Sequence, residues 1–215
     1  KNSKVYLDKP FASFMGRIGK RKFIESLILI FGVLGLTFLW VTLIGVLSEG
    51  NLFYKGLLES HDSIMGGLVD TESLLGMFII VAIIVPITEE LFFRGLIYGR
   101  LRQAMPTIVA TIISSAIFGI FHGNIVQGVY AFFIGCIHAI IYEKTDSLLL
   151  SIFGHSLLNT IGTVLPSIAA TFPYLKLDKL HLAFVILSWI ALIPSIIILR
   201  KWYVEGKEGM EYPVL

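Results

Sequence analysis

The sequence predicts an all-α protein, a polytopic transmembrane helix bundle of about six spans with both termini cytoplasmic. Three observations predict it. Of 215 residues, 56% are hydrophobic and only 15% are charged, where an ordinary soluble domain carries about 25% charged residues. Mean hydropathy is +0.85. The apolar residues form long unbroken runs, not the alternating pattern of a membrane β-barrel. Backbone groups in lipid must be satisfied within the segment, so these runs read as helices. A soluble fold of this composition would expose large apolar patches. Disorder needs few apolar residues and much charge. A disulfide scaffold is excluded by the single cysteine, Cys136. The net charge of +2 gives no basic footprint for nucleic acid.

A spanning helix takes about 20 mostly apolar residues. The first candidate runs from Phe23 to Leu47 and carries Glu25 near its start. The second, Leu74 to Tyr98, contains Glu89, Glu90 and Arg94. The others run from Thr107 to Phe121, Ile125 to Tyr142, Leu148 to Ile168 and His181 to Leu199. Residues 1–22 then form a juxtamembrane segment, 23–199 the membrane domain with its motifs within 83–159, and 200–215 a tail. Basic residues set orientation. Arg17, Lys20, Arg21 and Lys22 precede the first span, and Arg100 and Arg102 follow the second. Lys144 lies between the fourth and fifth, and Arg200, Lys201 and Lys207 follow the last. Six spans put all four clusters on one side, which is therefore expected to be cytoplasmic. The stretch from Ser48 to Thr71 reads as an acidic loop on the other side, with Glu49, Glu59, Asp62 and Asp70.

Ionisable groups within spans are costly and mark function. Three clusters stand out: Glu89-Glu90-Leu-Phe-Phe-Arg94, Phe118-Gly-Ile-Phe-His122 and His155-Ser-Leu-Leu-Asn159. Glu90 and Arg94 are four apart, so they share a helical face and can pair. Glu89 points about 100° away and has no partner at that spacing, which leaves it free to act as a base. His155 and Asn159 are also four apart and project from one face.

A depth count brings the clusters together. Glu89 lies about 16 residues before the turn at Met105 and Pro106, and His122 about 16 after it, each ~24 Å from the turn. His155 and Asn159 lie ~16 and ~22 Å from the turn near Lys144. All four fall within roughly two helical turns of one depth. A glutamate and a histidine can hold and deprotonate a water. A second histidine and an asparagine can stabilise the oxyanion of a tetrahedral intermediate. The combination suits hydrolysis.

The motifs E-E-x-x-x-R, F-x-x-x-H and H-x-x-x-N, with the Phe-Arg-Gly run at Phe93 to Gly95, resemble those of the CAAX protease and bacteriocin-processing family, also called Abi. That family includes the prenyl endopeptidases that remove the last three residues of CAAX proteins. The resemblance covers about Ile83 to Asn159. It implies an intramembrane glutamic endopeptidase acting on a membrane-associated peptide or protein. Glu89 would be the water-activating base and His122 its partner. Glu90 with Arg94 would support the site, and His155 with Asn159 would form the oxyanion site. The resemblance also implies a bacterial cell-membrane location, with CAAX-type processing or bacteriocin and signal-peptide maturation as alternatives. Expected partners are the peptide substrate and membrane lipid; the sequence leaves the oligomeric state open. No cofactor is expected. Spacing alone admits zinc at Glu89, His122 and His155, but asparagine is a poor zinc ligand and the resemblance implies a metal-free site.

Elsewhere, His138 reads as structural, His61 and His181 as solvated, and Cys136 as a small core residue. Gly95-x-x-x-Gly99 and Gly119-x-x-x-Gly123 have the small-residue spacing of close helix contacts. Two other functions compete. A non-catalytic immunity or scaffold protein of the same fold has no need of the full Glu-His-His-Asn set. A transporter using Glu89 as proton carrier would be expected to show a broken span or an inverted repeat, and neither is evident.

Overall fold

The computed structural model describes residues 18–69 and 74–208. The readings for Arg17, Asp70 and the two chain ends lie outside these. Among the described residues there are seven helices and no strand. They are α1 (Lys20–Ser48), α2 (Leu52–Val69), α3 (Leu75–Ala104), α4 (Thr107–Phe121), α5 (Ile125–Thr145), α6 (Leu148–Thr171) and α7 (Leu177–Glu208). Five of them, α1, α3, α5, α6 and α7, are long and apolar enough to cross a membrane. The chain is a multi-pass helical membrane protein. α4 has the boundaries its sequence predicts, but its 15 residues reach only ~22 Å, short of the ~30 Å hydrocarbon core.

The turns follow from local chemistry. Met105 is extended before Pro106, because a residue ahead of proline is pushed out of the helical region. The Asn124 side chain accepts from Gln127 N and caps α5. The Ser147 hydroxyl does the same for Leu150 N at the start of α6. α3 and α6 are not uniform. Residues Phe78–Ile84, Leu91–Tyr98 and Thr160–Val164 widen to π-helical turns. Pro86 and Pro166 follow two of these, and proline cannot donate to the ladder of the preceding turn. The widened turns flank Glu89 and Glu90 and directly follow Asn159. Such turns recur at functional sites.

The segment expected to be an acidic loop is instead helix α2. Its charge concealed an amphipathic pattern. Exposed Lys55 and Glu59 pair at 3.9 Å across one turn, while Leu57, Leu58 and His61 turn inward. Asn51 Oδ1 accepts from Phe53 N at 2.8 Å at the helix start. Asn124 Nδ2 donates to Ser60 Oγ at 3.1 Å, tying α2 to the start of α5.

α4 and α5 cross closely at glycine. A Cβ on Gly119 would sit 2.6 Å from the Gly128 carbonyl oxygen, and one on Gly128 2.9 Å from the Gly119 oxygen. The close helix approach expected at Gly119 is thus made with Gly128, while Gly123 has open space around it. Gly123 has φ +67 and makes the turn. Gly95 and Gly99 have only ordinary contacts, at 3.7 and 3.6 Å. We expect Gly119→Ala to destabilise the protein by about 1–3 kcal/mol, the usual cost of overpacking, seen as a lower melting temperature in detergent. An unchanged melting temperature would contradict this crossing.

The basic residues that orient the sequence gather at one end. Buried Glu25 accepts from Lys201 Nζ and Trp202 Nε1, both at 2.7 Å, and lies 3.2 Å from Arg21 Nε. Arg21 also meets Glu205 at 2.7 Å. Lys22 donates to the Lys144 carbonyl, and Lys144 to that of Trp202. Arg102 pairs with Glu143 at 2.7 Å. These bonds tie α1, α3, α5 and α7 together, and α7 runs on to Glu208, beyond the span end expected at Leu199.

Candidate active site

Glu90 is fully buried on α3. A carboxylate so removed from water needs partners, and its Oε1 has three. Arg94 Nη1, one turn along, lies at 3.0 Å. His155 Nδ1 of α6 lies at 2.9 Å and His138 Nδ1 of α5 at 3.2 Å. The i,i+4 pairing of Glu90 and Arg94 is therefore present. The Arg94 guanidinium also covers the Phe118 ring, 4.5 Å from its centroid, a cation–π contact favoured where water is excluded. The His138 and His155 rings meet edge to face, 5.5 Å apart at 84°.

His155 joins this buried centre to Glu89. With Nδ1 held by Glu90, its Nε2 faces Glu89 Oε2 at 3.5 Å. Glu89 is partly exposed, with 19% of its side chain accessible. It thus has a histidine neighbour from another helix, which no spacing within α3 could reveal. Glu89 lines a cavity of about 870 Å³ together with His122, His155 and Asn159. The structure therefore brings all four candidates to one concavity, with Glu90 and Arg94 behind them. His122 closes α4, its Nδ1 2.8 Å from the Phe118 carbonyl oxygen. Among the described residues it makes no ion pair with Glu89. Asn159 Nδ2 donates to the Val81 carbonyl at 2.9 Å, which fixes the amide at the wall.

The cavity extends from the middle of the bundle toward the end remote from the basic residues. Gln127 near the start of α5 and Thr171 at the end of α6 line it, whereas Lys144 and Leu148, at the other ends of these helices, do not. Its remaining walls are mostly apolar, including Leu34, Phe38 and Val85.

Two histidines differ from expectation. His61 is not solvated: it is buried on α2, lines the cavity and meets the Tyr130 ring edge-on at 6.1 Å. His181 packs edge-on against Phe38 at 5.6 Å, with its Nε2 buried. For His61 a helix packs inward where a loop was expected, and for His181 the last helix starts earlier, at Leu177, so the residue lies within it and not at its first position. His138, read as structural, is fully buried and bonded to Glu90. No sequence signal pointed to that bond, because 48 residues separate the partners.

One donor atom each from Glu90, His138 and His155 lies within 4.8 Å of the others. This is not the Glu89, His122 and His155 trio that spacing admitted for zinc. Both imidazoles converge on one Glu90 oxygen that also faces the Arg94 guanidinium. A fixed positive charge at that point disfavours a divalent cation. The set suits a carboxylate receiving hydrogen bonds.

Fold and site define a multi-pass helical membrane protein with a glutamate and histidines at a cavity and a second, buried glutamate behind them. Residues 71–161 match the family model described as type II CAAX prenyl endopeptidase Rce1-like, a stretch that contains all six candidate residues. Over 140 residues the chain is 28% identical to the "Putative membrane peptidase YdiL" of Bacillus subtilis (strain 168). The alignment takes in 61% of this chain and 57% of that protein, so the chain spans little more than half the length of the relative. No solved structure matches the chain. Both matches support the CAAX protease and bacteriocin-processing family that the motifs resemble.

Proposed function

We propose that the chain is a CAAX-type intramembrane endopeptidase that hydrolyses a peptide bond of a membrane-associated peptide or protein. The observation that carries this reading is the meeting of Glu89, His122, His155 and Asn159 at one largely apolar cavity. The family match and the membrane peptidase relative support it. Glu89 takes a proton from a water held between it and His122, and the oxygen attacks the scissile carbonyl. His155, acting as an imidazolium with its Nδ1–H on Glu90 and its Nε2–H turned to the cavity, and the Asn159 amide donate to the oxyanion that develops. Glu89 then passes its proton to the leaving amine. Glu90 acts through His155: by holding Nδ1 it presents Nε2 beside Glu89, so base and oxyanion donor converge on one reacting atom. No step uses a metal.

We place the basic end in the cytoplasm, where lysine and arginine are retained. The reacting groups then lie near mid-membrane, because Glu89 sits midway along α3 and His155 in the half of α6 nearer the basic end. CAAX-type processing and bacteriocin or signal-peptide maturation are the substrate classes this reading admits.

The test is cleavage of a quenched-fluorescent peptide library by the purified protein in nanodiscs, with and without a strong chelator. Cleavage that survives the chelator supports the reading. Loss with chelator and recovery with zinc would overturn the metal-free mechanism. A library left uncut, with in-cell immunity retained, would favour the scaffold alternative.

A further inference from the structure

His138 lies outside every motif that points to the cavity, yet it is the second imidazole on the Glu90 carboxylate. Its Nδ1 sits 3.2 Å from Glu90 Oε1, the oxygen that also holds His155 Nδ1 at 2.9 Å. The ring is fully buried. Its edge-to-face contact with His155, 5.5 Å between centroids, braces the second ring directly. The neighbouring backbone is tied as well, since Ser151 Oγ of α6 donates to the His138 carbonyl at 3.3 Å. His138 therefore touches both partners of the bond that orients His155, and does so from a third helix. Without it, the Glu90 carboxylate keeps Arg94 and His155 but loses the wall that stops it turning about its last side-chain bond.

We infer that His138 is a positioning residue: its Nδ1–H and its edge-to-face ring contact lock Glu90 and His155 in the orientation that presents His155 Nε2 to Glu89. The inference rests on the peptidase reading for its kinetic consequence, but the orientation itself is measurable without turnover. Residues that orient a reacting group in this way cost about 10- to 100-fold in activity when replaced. An apolar core residue gives no reason for the loss to depend on where a replacement carries its N–H. That difference selects the variants. The asparagine amide nitrogen reaches the position of imidazole Nδ1, whereas that of glutamine reaches Nε2, which faces away from Glu90.

The experiment uses the full chain in nanodiscs as wild type, His138→Asn and His138→Gln. Melting temperature and elution profile establish that each is folded. Imidazole ¹⁵N spectra of histidine-labelled protein, with His155 assigned from a His155→Gln sample, report the proton on His155 Nδ1. Peptide cleavage is followed in parallel. Wild type and His138→Asn should show one His155 state with Nδ1 protonated. His138→Gln should show exchange-averaged nitrogens and a kcat lower by about 10- to 100-fold at nearly unchanged KM. Identical His155 spectra in all three proteins would overturn the inference, as would equal kcat values for the two variants. If wild type cuts no peptide, the peptidase reading fails alone, and the His155 spectra still decide whether His138 positions the ring. Should His138→Gln fail to fold while His138→Asn is wild-type in spectrum and melting, the requirement for an Nδ1-placed donor stands. Failure of both to fold would overturn it in favour of a packing role.

Discussion

Glu89→Gln should lower the rate of peptide cleavage by about 10³-fold, within the usual span for loss of a general base, while the protein folds as before. The substitution keeps the shape of the side chain and removes its ability to take a proton. Glu89 is partly open to the cavity, and its one ion-pair contact among the described residues is 3.5 Å long. Little folding energy depends on it, so the melting temperature should stay close to wild type. KM should also hold, because the carboxylate acts on the water and not on substrate binding. Parallel cleavage and melting curves of the two proteins check this. A Glu89→Gln enzyme cutting within about three-fold of wild type would remove Glu89 from the mechanism, given the range above. Unchanged in-cell immunity with lost cleavage would separate the two activities in one chain.

The parts of this architecture written in local spacing could be read directly. Long apolar runs marked the spanning helices, and i,i+4 spacing marked the Glu90–Arg94 pair that the structure shows at 3.0 Å. A depth count along straight helices brought Glu89, His122, His155 and Asn159 to one level, and all four line one cavity. What escaped depends on rotation and on contacts between helices. Depth says nothing of azimuth, so His155 could not be seen to bridge Glu89 and Glu90, nor His138 to share Glu90. Helix α2 escaped for a different reason. Its acidic residues lie on the exposed face, and its mean polarity hid the inward side of Leu57, Leu58 and His61. The short α4 shows the same limit: its boundaries were legible, but whether 15 residues span or pack against neighbours is settled by the bundle.

Arg94→Met should be the most destabilising single change in the site, costing about 3–5 kcal/mol, because it leaves a buried charge without its partner. Glu90 is fully buried and Arg94 nearly so. Their 3.0 Å contact is the one in which Glu90 faces a permanently charged group. The same substitution also removes the guanidinium from the Phe118 ring, 4.5 Å away, and Phe118 packs edge-on against His122 and His155 at 4.8 and 5.9 Å. Both stability and cleavage should therefore fall. Arg94→Lys should restore little, since an ammonium cannot both stack flat on the ring and reach the carboxylate. The diagnostic variant is the double replacement Glu90→Gln with Arg94→Met. It removes the uncompensated charge, so it should be more stable than Arg94→Met alone, a non-additivity expected of groups in direct contact. It should nevertheless stay as inactive as the single variant, because a glutamine in place of Glu90 offers His155 Nδ1 only a neutral acceptor. Denaturant melts of the four proteins in one detergent measure the coupling. Additive losses would mean that Glu90 and Arg94 contribute independently. Cleavage restored along with stability would mean that Glu90 serves the fold and not the orientation of His155.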